Sequence, residues 1–177
     1  MSQTLVDALG VQHSAYFGEP RIVSLVPSLT ELICDLGLEK NLVGRTGFCV
    51  HPRETLRAIP KIGGTKDVNI ARVRELSPTH LIADIDENTR EQVNEMMNFV
   101  PHVVVVNPKR LVDNLGLYAL LGGIFCCIER ATNLAEQFQL TRKILAQETD
   151  SLPREKVLYP IWRLPWMTVS RDTYIAD

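Results

Sequence analysis

The sequence predicts an α/β fold with a mostly parallel four-stranded sheet flanked by helices. Four short apolar runs, each closed by a turn signal, are the expected strands: residues 22–26, 42–44, 80–83 and 103–106. The last run is four consecutive valines, which favour a strand buried on both faces, as in a parallel sheet. A chain of 177 residues, 45% of them hydrophobic, is long enough to bury such a core.

Residues 21–37 show the order strand, tight loop, helix most clearly. Pro27 ends the strand because it cannot donate to a sheet ladder. Ser28 and Glu31 have the spacing of a capping box that would begin a helix, and Gly37 is placed to end that helix in a left-handed turn. In an open α/β sheet this loop lies at the carboxyl end of a strand, where ligands bind.

Helical periodicity predicts the elements between and after the other strands. Asn69 is expected to cap one helix, and a second helix is expected over about residues 89–98. Residues 111–146 are helical throughout, which predicts one long helix or a helical hairpin with a break near residues 132–133. Residues 156–161 predict a further strand, followed by an aromatic loop and the start of a helix.

Composition excludes several classes of function. The net charge is −2 and no basic stripe is interleaved with aromatics, so nucleic acid is not an expected partner. The chain has neither an apolar run of membrane-spanning length nor the pattern of a secretory signal. Its four cysteines do not resemble a disulfide framework, which favours free thiols in a reducing compartment. As written, the chain is expected in the cytoplasm, unless a signal sequence was removed.

Cys49 and His51, in the loop after the second strand, are the most chemically suggestive pair in the sequence. The pair could supply a soft and a borderline ligand to a metal, although the spacing matches no established zinc pattern. The favoured interpretation is a packed thiol and a histidine that caps a backbone group beside Pro52. An enzyme with Cys49 as nucleophile and His51 as base is the alternative from another class, but no third orienting residue is evident. We therefore expect no catalysis.

Five stretches, in the same order along the chain, are similar to one known family: residues 21–31, 43–52, 59–65, 76–83 and 156–159. Together they resemble the class III substrate-binding proteins of ABC importers, which carry cobalamin, ferric siderophores and haem. The resemblance covers nearly the whole chain. It implies an N-terminal α/β lobe over residues 1–110, a long bridging helix over 111–149, and the first strand and loop of a truncated C-terminal lobe over 150–177. The hairpin that precedes the first strand in the family would fall within residues 1–20.

The resemblance also implies a function, namely the solute-binding component of an importer for a metal chelate such as a corrinoid or a ferric siderophore. No cofactor is required for that role. The expected ligand-binding residues are Pro27, Ser28, Arg45, Phe48, Gly64, Thr65, Asp84 and Trp166. Phe48 and Trp166 lie where cobalamin binders place aromatics, whereas Thr65 departs from the aromatic that such binders can have there. The acidic loop after the third strand faces a cationic ligand or a permease, or else is a solvated turn with an N-cap at Asn88.

The partners that the resemblance implies are the chelate and an ABC permease, with Glu91 as the expected docking carboxylate. It implies a periplasmic location, against the lack of a signal pattern in the chain. A remnant that binds no ligand, and in which a second copy of the chain covers the missing lobe, is the third alternative.

Overall fold

The computed structural model describes residues 4–177 and has a four-stranded parallel sheet at its centre. Its strands are β3 (Ile22–Ser24), β4 (Leu42–Arg45), β5 (His80–Asp84) and β6 (His102–Val106), in the spatial order β4-β3-β5-β6. All three pairings are parallel, with β5 and β6 paired along their full length. The predicted fold class and all four predicted strands are confirmed. The strands are continuous apolar runs because helices cover the sheet, and the core fills both faces.

Three helices connect the strands: α1 (Pro27–Asp35), α3 (Ile70–Glu75) and α4 (Arg90–Met97), with a single turn α2 (Arg53–Leu56) after β4. Asn69 caps α3 as predicted, since its side-chain oxygen accepts from the backbone N–H of Arg72 at 3.0 Å. Gly37 follows α1 with φ +76°, which is the left-handed conformation expected of a helix-ending glycine.

The predicted capping box at Ser28 and Glu31 is wrong. Helix α1 begins at Pro27, and the preceding residue, Val26, forms no side-chain cap. Proline fits the first helical position because its missing N–H would have no partner there. The Thr30 hydroxyl donates to the Val26 carbonyl at 2.9 Å, so the first turn is fixed from inside the helix.

The predicted single helix over residues 111–149 is two helices, α5 (Asp113–Ile124) and α6 (Ile128–Thr149), which pack against each other. The break falls at residues 125–127, earlier than the hairpin alternative placed it. Cys126 has φ +56°, and the N–H of Cys127 donates to the Gly122 carbonyl at 2.9 Å. This is the bond that closes a Schellman motif, usually with glycine where Cys126 stands.

The C-terminal residues form a second, separate hairpin, β7 (Pro160–Arg163) and β8 (Trp166–Thr168), which pair antiparallel. Residues 156–159 are not in a strand, and residues 169–177 form turns where the start of a helix was expected. The hairpin side chains are exposed because the four-stranded sheet and its helices already enclose the core without them.

The N-terminal hairpin, β1 (Leu5–Val6) and β2 (Gln12–His13), lies beside the edge strand β6. The N–H of Ala8 donates to the Val105 carbonyl at 2.8 Å. This is the small hairpin that the family resemblance implied. Across residues 4–177, no helix combines the length and the apolar character needed to cross a bilayer.

Candidate functional site

The loops after β3, β4 and β5 meet at the carboxyl edge of the sheet and are bonded to one another. The Thr30 hydroxyl in α1 lies 3.1 Å from the Cys49 sulfur, and this contact joins the first loop to the second. The Asn88 amide donates to the Thr65 carbonyl at 2.9 Å, which joins the loop after β5 to residues 63–65. Loops from separate strands therefore form one continuous surface, as parallel strands place their carboxyl ends together.

Phe48 is the most exposed aromatic of this surface, with 64% of its area open to solvent. Its ring packs over Gly64, where an added Cβ would lie 3.2 Å from the ring. Gly47 supports the same contact because its N–H donates to the Gly63 carbonyl at 2.7 Å. A side chain at position 64 would collide with the Asp67 carboxylate and press on the Phe48 ring, so glycine permits this close contact.

Arg45, predicted to bind ligand, instead points into the protein. Its guanidinium is buried and donates to the carbonyl oxygens of Leu56, Thr46 and Cys49 at 2.9–3.2 Å. All three acceptors lie within residues 46–56, so the arginine holds this loop in shape. Because its donors are used internally, Arg45 supports the surface that carries Phe48 and does not form part of it.

Cys49 and His51 do not come together. The Cys49 sulfur is fully buried, with the hydroxyls of Thr30 and Thr46 each at 3.1 Å, whereas the His51 ring is exposed. Within residues 4–177, no group of three or more His, Cys, Asp or Glu side chains is arranged to hold a metal ion. The structure therefore contains the packed thiol of the favoured interpretation. Among the described residues, His51 forms no hydrogen bond to a backbone group, so the expected histidine cap is not seen.

Asp84 ends β5 at the centre of the carboxyl edge and is half-buried. Its carboxylate accepts from the N–H groups of Asp86 and Glu87 at 2.8 and 3.2 Å. Burial raises the pKa of Asp84, and the neighbouring charges of Asp86 and Glu87 raise it further, while the two backbone bonds oppose this. Asn88 does not cap α4: it is buried, and its oxygen accepts from the N–H of Asp84 at 2.9 Å.

A groove of about 660 Å³ runs along this edge between α1, α5, α6 and the C-terminal segment. It brings together two of the predicted site residues, Ser28 and Asp84, with Tyr118, Phe138 and Tyr174. Sequence reasoning missed these three aromatics, because Phe138 fits the apolar periodicity of a helix and nothing marks the two tyrosines. The Tyr118 and Phe138 rings meet edge to face, with centroids 6.3 Å apart, across α5 and α6.

The remaining predicted residues lie outside this groove. Trp166 stands on β8 with 73% of its area exposed, and Pro27 is half-buried at the first position of α1. Thr65 is half-buried, and its carbonyl is held by Asn88. Glu91 lies in the first turn of α4 with its side chain exposed.

A four-stranded parallel sheet whose loops meet in one surface at its carboxyl edge is typical of one lobe of a two-lobed binding protein. The chain belongs to the periplasmic binding protein family, whose model matches residues 22–177. Among curated relatives, a vitamin B12-binding protein from Pectobacterium carotovorum is 24% identical over 100 residues, covering 56% of this chain and 36% of that protein. The chain thus matches only about a third of the length of that relative.

Two solved structures show the same fold. One is the periplasmic vitamin B12 binding protein BtuF of Vibrio cholerae, with a TM-score of 0.80 at 20% identity, covering 89% of this chain and 61% of that one. The other is the apo form of the periplasmic haem-binding protein RhuT from Roseiflexus sp. RS-1, with a TM-score of 0.73 at 24% identity, covering 82% of this chain and 56% of that one. At these identities the likeness concerns the fold alone.

Proposed function

We propose that the chain is the ligand-binding N-terminal part of an ABC-importer binding protein for a metal chelate, either a corrinoid or a haem-like or siderophore complex. The observation that carries this proposal is the exposed Phe48 ring, which lies beside Gly64 on a surface built from loops of separate strands. A broad, flat ligand gains most from such an aromatic face. The vitamin B12-binding and haem-binding names of the similar proteins support the same ligand class.

The role is binding and not catalysis. Cys49 is the one candidate nucleophile at this edge in the described chain, and it is buried between two hydroxyls with no histidine beside it. A nucleophilic thiol needs an adjacent base or a charge that stabilises the thiolate. Cys49 has no base beside it, and the nearby Arg45 guanidinium donates to its carbonyl and forms no hydrogen bond to its sulfur, so Cys49 serves the packing of the loop.

The remaining roles follow from the same proposal. Residues 1–110 would act as the lobe that bears the ligand surface, and α6 would bridge to a second lobe begun by residues 150–177. Glu91 is exposed on α4 and is free to meet a cationic partner, which is the contact expected with a permease in the periplasm. Trp166 would face the ligand only if the exposed hairpin β7-β8 closes over the carboxyl edge.

The test is a titration with cyanocobalamin, haemin and a ferric hydroxamate siderophore, followed by tryptophan quenching and by equilibrium dialysis. Trp162 and Trp166 are the two tryptophans, and both lie on the exposed hairpin. We expect saturable binding of one of these ligands. Phe48→Ala should then weaken binding by about tenfold, the loss of one aromatic stacking contact, while unfolding stability changes by less than about 0.5 kcal/mol.

The matched control is Phe17→Ala. Phe17 is also an exposed phenylalanine, at 89%, but it follows Tyr16, whose ring contacts the histidines at the amino ends of β5 and β6. Binding that is unchanged in Phe17→Ala and weakened in Phe48→Ala supports the carboxyl edge as the site. Equal affinity in both variants, or binding of none of the three ligands, would overturn the proposal.

A further inference from the structure

Three of the four histidines of the chain meet at the amino edge of the sheet, opposite the ligand surface. His80 and His102 are the first residues of β5 and β6 and are register partners. Their rings stack with centroids 4.7 Å apart and planes inclined by 23°. Tyr16 and Phe125 contact the His80 ring edge-on at 4.7 and 4.9 Å, which completes an almost closed aromatic cluster around it.

The third histidine, His13, belongs to the N-terminal hairpin and is buried against a carboxylate. Its Nε2 lies 3.2 Å from the Asp7 carboxylate, and the two side chains are 7% and 0% exposed. Asp7 also accepts from three backbone N–H groups, those of Leu9, Val11 and Val105. Asp7, the single carboxylate of this cluster, therefore already has partners in the hairpin and in the edge strand.

The same contacts make the hairpin a cover for an exposed sheet edge. Strand β6 is the last strand of the sheet, so one side of its backbone needs a partner. Val105 donates its N–H to Asp7 at 3.1 Å and accepts from Ala8 at 2.8 Å. A few bonds and the packing of Tyr16 hold the hairpin in this position, whereas β5 and β6 share a full ladder.

The groups that face His80 offer no negative charge to a protonated ring. Its Nδ1 shares a hydrogen bond with the Thr79 hydroxyl at 2.9 Å, an uncharged partner that can serve either protonation state. His102 from β6 and His13 from the hairpin are cationic when protonated, and the Arg21 guanidinium before β3 is directed to the carbonyls of Leu76 and Ser77. Tyr16 and Phe125 are uncharged, and among residues 4–177 His80 forms no ion pair with a carboxylate.

We propose that this histidine cluster is a proton-sensitive latch, which holds the N-terminal hairpin on the β6 edge when His80 is neutral and releases it in acid. A charge on His80 would be buried among rings and repelled by His13 and His102, and we expect this cost to outweigh the gain from a His13–Asp7 ion pair in the closed hairpin. Opening the hairpin together with the segment that follows it, whose Tyr16 N–H donates to the Ile124 carbonyl at 2.7 Å, removes His13 and Tyr16 and admits water to the His80 ring. The released state exposes the N–H and C=O of Val105, a free strand edge that another chain segment could pair with.

The pKa of His80 agrees with this geometry. Burial, followed by repulsion from His102 and His13, lowers it from 6.5 to about 4. The neutral ring is thus favoured in the closed state, while an opened ring titrates near its ordinary value. The closed latch is fully stable above pH 6.5, and it weakens as the pH falls from 6.5 towards 4.

Hydrogen exchange measured by mass spectrometry on the full chain, from pH 7 to pH 4.5, tests the latch. Exchange of peptides covering residues 5–16 is corrected for intrinsic chemical rates and compared with peptides covering α4, which contains no histidine. We expect protection of residues 5–16 to fall by more than about tenfold while that of α4 is retained, because each pH unit below the open-state pKa can shift the balance by up to tenfold.

His80→Phe is the principal variant, because phenylalanine keeps the ring contacts and cannot be protonated. His51→Phe is the matched control, since His51 is exposed at the opposite edge. The pH dependence should vanish in His80→Phe and persist in His51→Phe. The same dependence in His80→Phe as in the wild type would overturn the proposal, as would simultaneous loss of protection in residues 5–16 and α4.

A direct titration keeps the proposal testable if His80→Phe does not fold. In the wild-type protein the ring protons of His80 are followed by NMR, and its signal should titrate with a pKa well below 6.5, the ordinary histidine value. A His80 signal that titrates at that ordinary value would overturn the latch, because the ring would then accept a proton without any cost to the closed state.

Discussion

The two edges of the parallel sheet surround a buried titratable group with different partners. At the carboxyl edge, Asp84 is half-buried and is met by the N–H groups of the loop that follows it. At the amino edge, His80 is enclosed by aromatic rings and meets no opposite charge. Both surroundings disfavour the charged form of the group: the loop N–H groups only partly offset the burial of Asp84, and no opposite charge offsets the burial of His80.

The two groups accordingly give unfolding stability opposite dependences on pH. The folded-state pKa of His80 is lowered, so its contribution is present above about pH 6.5 and is lost as the pH falls towards 4. The folded-state pKa of Asp84 is raised, so its contribution is present below its ordinary value of 3.8 and is lost as the pH rises through the raised value. Near neutral pH the contribution of His80 to unfolding stability is greatest. The ionised Asp84 carboxylate lowers unfolding stability at the same pH, because it is partly desolvated.

The largest expected effect is that of Arg45→Met, which removes the cation beneath the loop that carries Phe48. Three carbonyl oxygens would lose their donor, and we expect a loss of about 3 kcal/mol in the free energy of unfolding, measured with urea. Arg57→Met is the control, since Arg57 is exposed, and should change stability by less than about 0.5 kcal/mol. Equal stability of the two variants would mean that the carboxyl edge does not depend on Arg45.

An intermediate effect is expected from Asp84→Asn, which tests the cost at the carboxyl edge. Asparagine keeps an oxygen for the N–H groups of Asp86 and Glu87 but carries no charge. At pH 7 the variant should gain about 0.5–1 kcal/mol over the wild type, and the gain should disappear at pH 3. Glu54→Gln, an exposed carboxylate change in α2, should show no such pattern. A loss of stability at pH 7 would contradict the burial cost assigned to Asp84.

The smallest effect concerns the turn beside the amino edge, where Cys126 adopts φ +56°. Cys126→Gly should raise unfolding stability by about 0.5 kcal/mol, because glycine takes this conformation without steric cost and loses part of the gain to chain entropy. Cys126→Ala keeps the Cβ and should show no gain, which separates backbone strain from loss of the thiol. A gain in Cys126→Ala equal to that in Cys126→Gly would point to the thiol instead.

The comparison of the edges also shows which site features a sequence can reveal. An aromatic and a paired glycine in loops after strands are local signals, so the sequence singles out Phe48 and Gly64, which the structure places side by side and whose ligand-binding role stays a prediction. The inward turn of Arg45 was not predictable, since it depends on the carbonyls of residues 46–56 folding around the guanidinium. Tyr118 and Phe138 were missed because their meeting depends on how α5 and α6 pack.

The helix boundaries also differ in how well the sequence predicts them. Asn69 and Gly37 act through neighbours within a few residues, so the cap of α3 and the end of α1 were correctly predicted. The turn between α5 and α6 was not located, because its left-handed residue is a cysteine and the two nearby glycines, Gly122 and Gly123, lie inside the last turn of α5. The long helix was therefore expected to continue through residues 125–127.

The sequence by itself determined the α/β class, the four buried strands and their loops, because apolar periodicity and turn residues act over short distances. Only the tertiary structure decided the spatial order of the strands, the hairpin of α5 and α6, and the burial of Arg45 and Cys49. It also decided the meeting of His13, His80 and His102, which are up to 89 positions apart in the chain. Such contacts depend on the register of neighbouring strands, and one histidine in a sequence carries no information about the strand that will lie beside it.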